Sequence, residues 1–251
     1  MSFILPGMLG VVGSPIFTDK YSAALDGTNQ YLQISGLDPS VDIGTGNYTI
    51  NMWVFVETGA TESFPYFMAF GDGTDYQAIG LTDKSTDDYD LRIMNRFNAT
   101  YSQDVIGTRD ISAGNWYMLT IRRYSSLLWG LINGVEKLSL SGTNVTSNDF
   151  GASSDFRFGY NSGTSADRFL EGRFSQIAFW DTGVSTAGLL ELYNSGTPKD
   201  PRTNGTSYTQ SSNLKGFWSI EENTGTTTSD LTIYANNGTF PNGLTWSATA
   251  P

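Results

Sequence analysis

Apolar and polar positions alternate along much of this chain with the period of β-strands. From Tyr48 to Val56, the residues Tyr48, Ile50, Met52, Val54 and Val56 fall on one side and Thr49, Asn51, Trp53 and Phe55 on the other. This predicts a sandwich strand with one face buried and the other partly covered. Leu91 to Phe97 sets Leu91, Ile93 and Asn95 against Arg92, Met94 and Arg96, which predicts a half-exposed strand. Tyr21 to Ile34 reads as two short strands about the turn cluster Asp26-Gly27-Thr28-Asn29, and Phe64 to Leu81 as two more about Gly71-Asp72-Gly73-Thr74-Asp75.

The strongest local signal is Trp116 to Leu140. Asn133-Gly134 has β-formers on both sides and suits a two-residue type I′ turn, because both central residues must take positive φ. Leu127–Ile132 and Val135–Leu140 should therefore pair antiparallel. In the first of these, Leu127, Trp129 and Leu131 share one parity and Leu128 and Ile132 the other, so the strand is apolar on both faces and belongs inside the fold. Glu136 and Lys137 mark where the hairpin tip meets water. One helix is predicted, Thr186 to Asn194, with Ser185 as N-cap, Val184 and Leu189 as a hydrophobic staple, and Gly196 as a stop signal.

These segments resemble laminin G-like domains of the concanavalin A-like lectin and glucanase superfamily. The resemblance rests on Gly114-Asn115-Trp116-Tyr117 leading into the Asn133-Gly134 hairpin, and on four further stretches in the same order. These are Ala24 to Leu32, Tyr48 to Val54, Phe169 to Ile177 and Leu189 to Asn194. It implies an all-β, antiparallel β-sandwich, a concanavalin A-like jelly roll with one short helix. The family includes adhesion modules, sugar binders, enzyme appendages and virion proteins, so the resemblance speaks to fold more than to function. A later stretch, Leu214 to Ile220 continuing through Glu221-Glu222-Asn223-Thr224-Gly225, resembles a strand and loop found beside such domains. We read it as a returning edge strand of the same sandwich. The expected organisation is an apolar N-terminal arm, residues 1–20, and a single sandwich, residues 21–251, with 198–251 as its closing segment.

Composition narrows the functions available. The 251 residues carry a net charge of −11 with scattered Lys and Arg, so no basic face is offered to nucleic acid. There is no Cys and no His, which removes disulfides, thiolate metal sites, Ser-His-Asp triads and the common zinc sites. Residues 1–18 have no charged side chain, but Pro6, Gly7, Gly10 and Gly13 interrupt the run and no Lys or Arg precedes it. It therefore reads neither as a signal peptide nor as a membrane span. Phe3, Ile4, Leu5, Met8 and Leu9 are instead expected to dock the arm on its own domain or on a neighbouring subunit.

Three constellations are candidates for chemistry. The glucanase relatives use a Glu-x-Asp-x-x-Glu strand, which this chain lacks, and Glu221-Glu222 are adjacent and should face opposite ways. No enzyme activity is expected. Asp72, Asp75, Asp83, Asp87, Asp88 and Asp90 cluster in sequence and read either as oxygen ligands for calcium or as solvated turn formers. Where the relatives often place Asp, this chain has Gln176, which argues against carrying over a family calcium site. Tyr66, Tyr76, Tyr89, Tyr101 and Tyr160 lie near predicted loops and are candidates for stacking on sugar rings, or for core packing. Five Asn-x-Thr triplets, at Asn47, Asn98, Asn144, Asn204 and Asn237, are ascribed to composition, since no export signal is read here.

The leading functional expectation is a non-enzymatic virion structural protein of a bacterial virus, serving as a decoration, minor capsid or tail component. It would sit on the virion surface with other virion proteins or copies of itself as partners. It rests on a start at Met1 without an export signal, the absence of Cys, His and catalytic carboxylates, and an arm suited to lacing subunits. The alternative is an extracellular carbohydrate-binding or adhesion module that takes surface glycans; no cofactor is required in either case, and calcium at the Asp cluster is an option.

Overall fold

The computed structural model describes residues 17, 19–35, 37, 41, 43–71, 75–149, 155–160 and 168–251, with the side chains of Asp83 and Thr143 left aside. The arm residues Phe3, Ile4, Leu5, Met8 and Leu9, and Asp72, lie outside the described residues.

Two antiparallel sheets form a sandwich. The first holds β1 (Ser22–Asp26), β3 (Tyr48–Val56), β9 (Trp116–Tyr124), β10 (Leu127–Ile132), β11 (Val135–Ser141), β13 (Glu171–Trp180), β14 (Leu214–Trp218) and β17 (Thr245–Ser247). Its order is β11-β10-β9-β3-β13-β1-β17, with β14 paired to β13. The second holds β2 (Leu32–Ile34), β4 (Tyr66–Gly71), β5 (Tyr76–Ser85), β6 (Asp88–Phe97), β7 (Thr100–Val105), β8 (Ile111–Ser112), β12 (Asp155–Phe158), β15 (Thr227–Thr228) and β16 (Gly238–Thr239). There the order is β15-β16-β2-β12-β4-β5-β6-β7, with β8 paired to β6. The C-terminal residues thus supply strands to both sheets. Among the described residues no helix is long and apolar enough to cross a membrane.

The core lies between the sheets. Ile50, Met52, Val54, Leu119, Ile121, Phe174 and Phe179 from the first sheet meet Met68, Phe70, Ile79, Leu91, Ile93, Phe156 and Phe158 from the second. Phe156 and Phe179 approach across the gap with ring centroids 5.1 Å apart. Each such side chain contributes about 1.5–3 kcal/mol by leaving water.

The first sheet is also covered on its outside, which is why β3 and β10 are apolar at both parities. Trp53, Met118, Leu131, Ala178, Trp180 and Phe217 pack there under Val184, Leu189, Leu192 and Tyr208. The Trp180 Nε1 donates to the Tyr208 hydroxyl at 2.8 Å, and that hydroxyl donates to the Pro201 carbonyl at 2.6 Å. The hairpin forms as its sequence predicts: Ile132 pairs with Val135, and Asn133 and Gly134 take φ of 54° and 78°. A short helix, α1 (Thr143–Ser147), has no clear signal in the sequence. The predicted helix is α2 (Thr186–Tyr193), whose first turn is capped by Ser185 Oγ accepting from the Gly188 N–H at 3.1 Å. It ends one turn before Gly196 could act, because Asn194 itself adopts the left-handed conformation at φ 45°.

One strand departs from expectation. β6 is buried on both faces over most of its length, because Arg92 and Met94 lie against aromatic side chains on the outside of the second sheet.

Candidate functional site

That outer face is organised by strand register. Residues directly opposite on neighbouring antiparallel strands share a face. Tyr66 lies opposite Gly80, Gly80 opposite Arg92, and Arg92 opposite Val105. Ala69, Ala78, Met94 and Gln103 make a second row, and Gly71, Tyr76, Arg96 and Tyr101 a third. Four strands thereby place Tyr66, Tyr76, Tyr101, Arg92, Arg96 and Gln103 on one side of the sheet. A bulge between Tyr66 and Met68 sets this arrangement by turning Tyr66 outward while Phe67 and Met68 both enter the core. Gly80 is required in the first row, since a Cβ there would come within 2.7 Å of the Pro65 carbonyl and 3.3 Å of Tyr66 Cα.

Arg92 belongs to the first of these rows. It is only 5% exposed, and its guanidinium carbon is 5.0 Å from the Tyr66 ring and 5.5 Å from the Phe64 ring. One terminal nitrogen donates to the Phe64 carbonyl at 3.3 Å, whereas Nε has no hydrogen-bond partner. Arg168 approaches the same Phe64 ring at 5.1 Å. Burial holds the Arg92 guanidinium below its ordinary pKa; Tyr66, Tyr101 and Tyr76 offset this and Arg168 adds to it. Tyr101, on the edge strand β7, is 46% exposed and donates through its hydroxyl to Gln103 Oε1 at 2.9 Å.

The five tyrosines singled out in the sequence separate into distinct settings. Tyr66, Tyr76 and Tyr101 come together, with Tyr66 and Tyr76 buried as floor and Tyr101 open. Tyr89 is fully buried in the inter-sheet core, its phenol pushed up to about 12 by burial and by the charges of Asp87, Glu171 and Glu62. Tyr160 stacks on Phe169 with centroids 4.5 Å apart and lies 5.2 Å from Tyr31 in a separate aromatic cluster. Stacking on a sugar is thus closed to Tyr66, Tyr76 and Tyr89 as they stand, because packing already covers their faces.

The aspartates do not converge. Asp75 precedes β5 and Asp87 and Asp88 follow it, so a ten-residue strand of about 30 Å stands between them. Each binds a residue of a neighbouring segment. Asp75 Oδ1 accepts from the Asn98 N–H at 2.9 Å, Asp87 Oδ1 from the Gly59 N–H at 2.8 Å, Asp88 Oδ1 from the Ser112 hydroxyl at 2.6 Å, and Asp90 Oδ1 from the Arg109 N–H at 2.6 Å. Among the described residues no group of three acidic side chains has the geometry of a metal site, and these four do not make one calcium cage.

Glu221 and Glu222 diverge. Glu221 Oε1 accepts from the backbone N–H groups of Lys20 and Tyr21 at 2.9 and 3.0 Å. Glu222 Oε1 accepts from the Thr228 hydroxyl and the Ser229 N–H at 3.0 and 2.9 Å. Sequence reading missed Asp19, which takes a hydrogen bond from Ser175 Oγ at 3.2 Å and lies beside Glu221. Burial, with a smaller contribution from Glu221, raises its carboxyl to about 6. Phe17 stacks near Phe217 at 6.3 Å, so this part of the N-terminal segment rests on the outer side of the first sheet of its own sandwich.

Residues 26–188 match the family described as the concanavalin A-like lectin/glucanases superfamily. The chain belongs to this superfamily. No curated protein matches it in sequence. Its fold is shared with a candidate carbohydrate-binding protein from Bacteroides ovatus ATCC 8483 at 15% identity and TM-score 0.63, over 92% of this chain and 60% of that one. It is shared with the heptameric SAP-like pentraxin of Limulus polyphemus at 12% identity and TM-score 0.60, over 92% and 95%. Tailspike protein 2 of Escherichia coli O157:H7 bacteriophage CAB120 follows at 14% and 0.55, over 83% of this chain but 31% of the tailspike. At these identities the likeness is one of fold.

Proposed function

We propose that this superfamily member is a non-enzymatic carbohydrate-binding protein that takes its saccharide on the outer face of the second sheet. The observation that carries the reading is the register that brings Tyr66, Tyr76 and Tyr101 onto one face with Arg92 and Gln103. Tyr101 supplies the open ring for a pyranose face, and Gln103 and the arginines supply hydrogen bonds to its substituents. The Bacteroides ovatus fold relative supports the same class. Calorimetric titration against a panel of oligosaccharides, with the chain and with Tyr101→Ala, tests it. We expect a bound member of the panel and about a tenfold loss of affinity on removal of the ring, the order of one aromatic contact of ~1.4 kcal/mol. Unchanged affinity in the variant would move the site elsewhere.

A second reading concerns where this binding operates. A bacteriophage virion surface, with the protein as a decoration, minor capsid or tail component beside other virion proteins or copies of itself, is supported by the charge-free segment 1–18 and by the tailspike fold relative. An extracellular adhesion module is the alternative. Light scattering of the full chain and of a chain starting at Tyr21 tests the assembly part. Oligomers of the full chain and folded monomers of the shorter one support it; monomers of both contradict it.

A further inference from the structure

The net charge of this chain is −11, yet the outer face of the second sheet gathers Arg92, Arg96 and Arg168. Four other arginines are paired with carboxylate, Arg122 with Glu136, Arg157 with Asp155, Arg173 with Glu57 and Arg202 with Asp200, and buried Arg123 donates to three backbone carbonyls. Among the described residues no ion pair joins Arg92, Arg96 or Arg168 to an acidic side chain.

Arg92 is the decisive member. A guanidinium removed from water loses hydration that only an anion or several hydrogen bonds replace. Here the replacement is incomplete: two aromatic rings near the guanidinium, one carbonyl at 3.3 Å, and an Nε with no partner. Aromatic contacts leave the in-plane N–H groups as the route to further bonding, and that planar edge is the part of arginine that matches carboxylate and sulfate. Arg168 shares the Phe64 ring with Arg92, so the two cations flank one aromatic side chain, and both interact electrostatically with Tyr101.

We infer that the saccharide taken by this face is acidic: its ring lies on Tyr101, and its anionic group is held by Arg92 and Arg168. The inference rests on the saccharide site proposed above and adds the chemical class of the ligand. The shared chemistry is a sugar bearing an oxyanion, which a uronic acid supplies as carboxylate and a sulfated sugar as sulfate ester.

The test titrates the full chain with a trigalacturonate, a sulfated galactose trisaccharide and neutral galactotriose, and repeats the titrations with Arg168→Gln and with Arg92→Lys. Arg168 is partly exposed, so its replacement leaves the fold in place; Arg92→Lys keeps the charge and removes the planar fork, and its thermal unfolding is compared with that of the parent chain. At least one acidic trisaccharide should bind tenfold or more tightly than the neutral one, with that preference lost in Arg168→Gln and reduced in folded Arg92→Lys. The better of the two acidic ligands identifies carboxylate or sulfate. Equal binding of neutral and acidic sugars, unaffected by Arg168→Gln, overturns the acidic preference while leaving the saccharide site standing. Absence of binding by every saccharide, neutral ones included, overturns the site itself.

Discussion

Gly134, in the turn of the β10–β11 hairpin, lies against the backbone of Leu190 in α2. A Cβ at Gly134 would come within 2.9 Å of both Leu190 N and Leu190 Cα, and the residue holds φ at 78°. Backbone conformation and close approach therefore require glycine at the same position. Gly134→Ala should destabilise the protein by about 2 kcal/mol, the left-handed backbone and the displaced helix both contributing. Urea unfolding reads this directly. Gly107→Ala, at an exposed position with nothing within 4 Å, serves as the control and should change stability by less than about 0.5 kcal/mol.

A buried cation holds two loops to the end of the first sheet. Arg123 is 1% exposed and donates to the carbonyls of Gly46 at 2.6 Å, Asn148 at 2.6 Å and Gly44 at 2.8 Å, with its guanidinium 5.2 Å from the Tyr48 ring. Arg123→Met keeps most of the packing and removes the donors. Leaving these carbonyls without their partners should cost about 3 kcal/mol, seen as a lowered urea midpoint, with faster hydrogen exchange at residues 44–46 and 146–148.

Asp19 gives the stability a pH dependence of unusual sign for a carboxylate. Its folded pKa is raised from 3.8 to about 6, so the folded state binds the proton more tightly than the unfolded chain. Stability from this group is present below about 4 and is lost as pH rises through 6. Asp19→Asn, neutral throughout, should abolish this slope and stabilise the protein at pH 8 by about 1 kcal/mol after allowance for solvent screening. Unfolding midpoints of both proteins between pH 4 and 8 provide the comparison.

Because Asp75, Asp87, Asp88 and Asp90 each accept a hydrogen bond from a different residue of a neighbouring segment, saccharide binding should not depend on calcium. Titration in the presence of a chelator should give an unchanged affinity. A loss restored by calcium would mean that a cation site contributes to binding.

What was legible in the sequence was local. Asn133-Gly134 specified its own turn, Ser185 its own cap, and the alternation of β3 its two faces. The site depends instead on register over four strands. Tyr66 faces outward because of a bulge that no residue pattern announced, and a one-residue shift would have sent it inward. Proximity in sequence misled in the other direction: Asp75 and Asp87 look like neighbours until β5 is laid between them. The exposure of β6 was misread because alternation shows which side chains share a face, but not that Arg92 and Met94 would find aromatic cover outside the sheet.

A saccharide bound on the outer face of β4 to β7 would shield the backbone beneath it. Hydrogen–deuterium exchange of the full chain, with and without the tightest-binding saccharide of the panel, tests it most directly. Exchange should slow at Phe64 to Tyr66 and across Thr100 to Val105, with little change in the loops holding Asp87 and Asp88. Protection confined to those loops, or to α2 and the outer side of the first sheet, would contradict binding on β4 to β7.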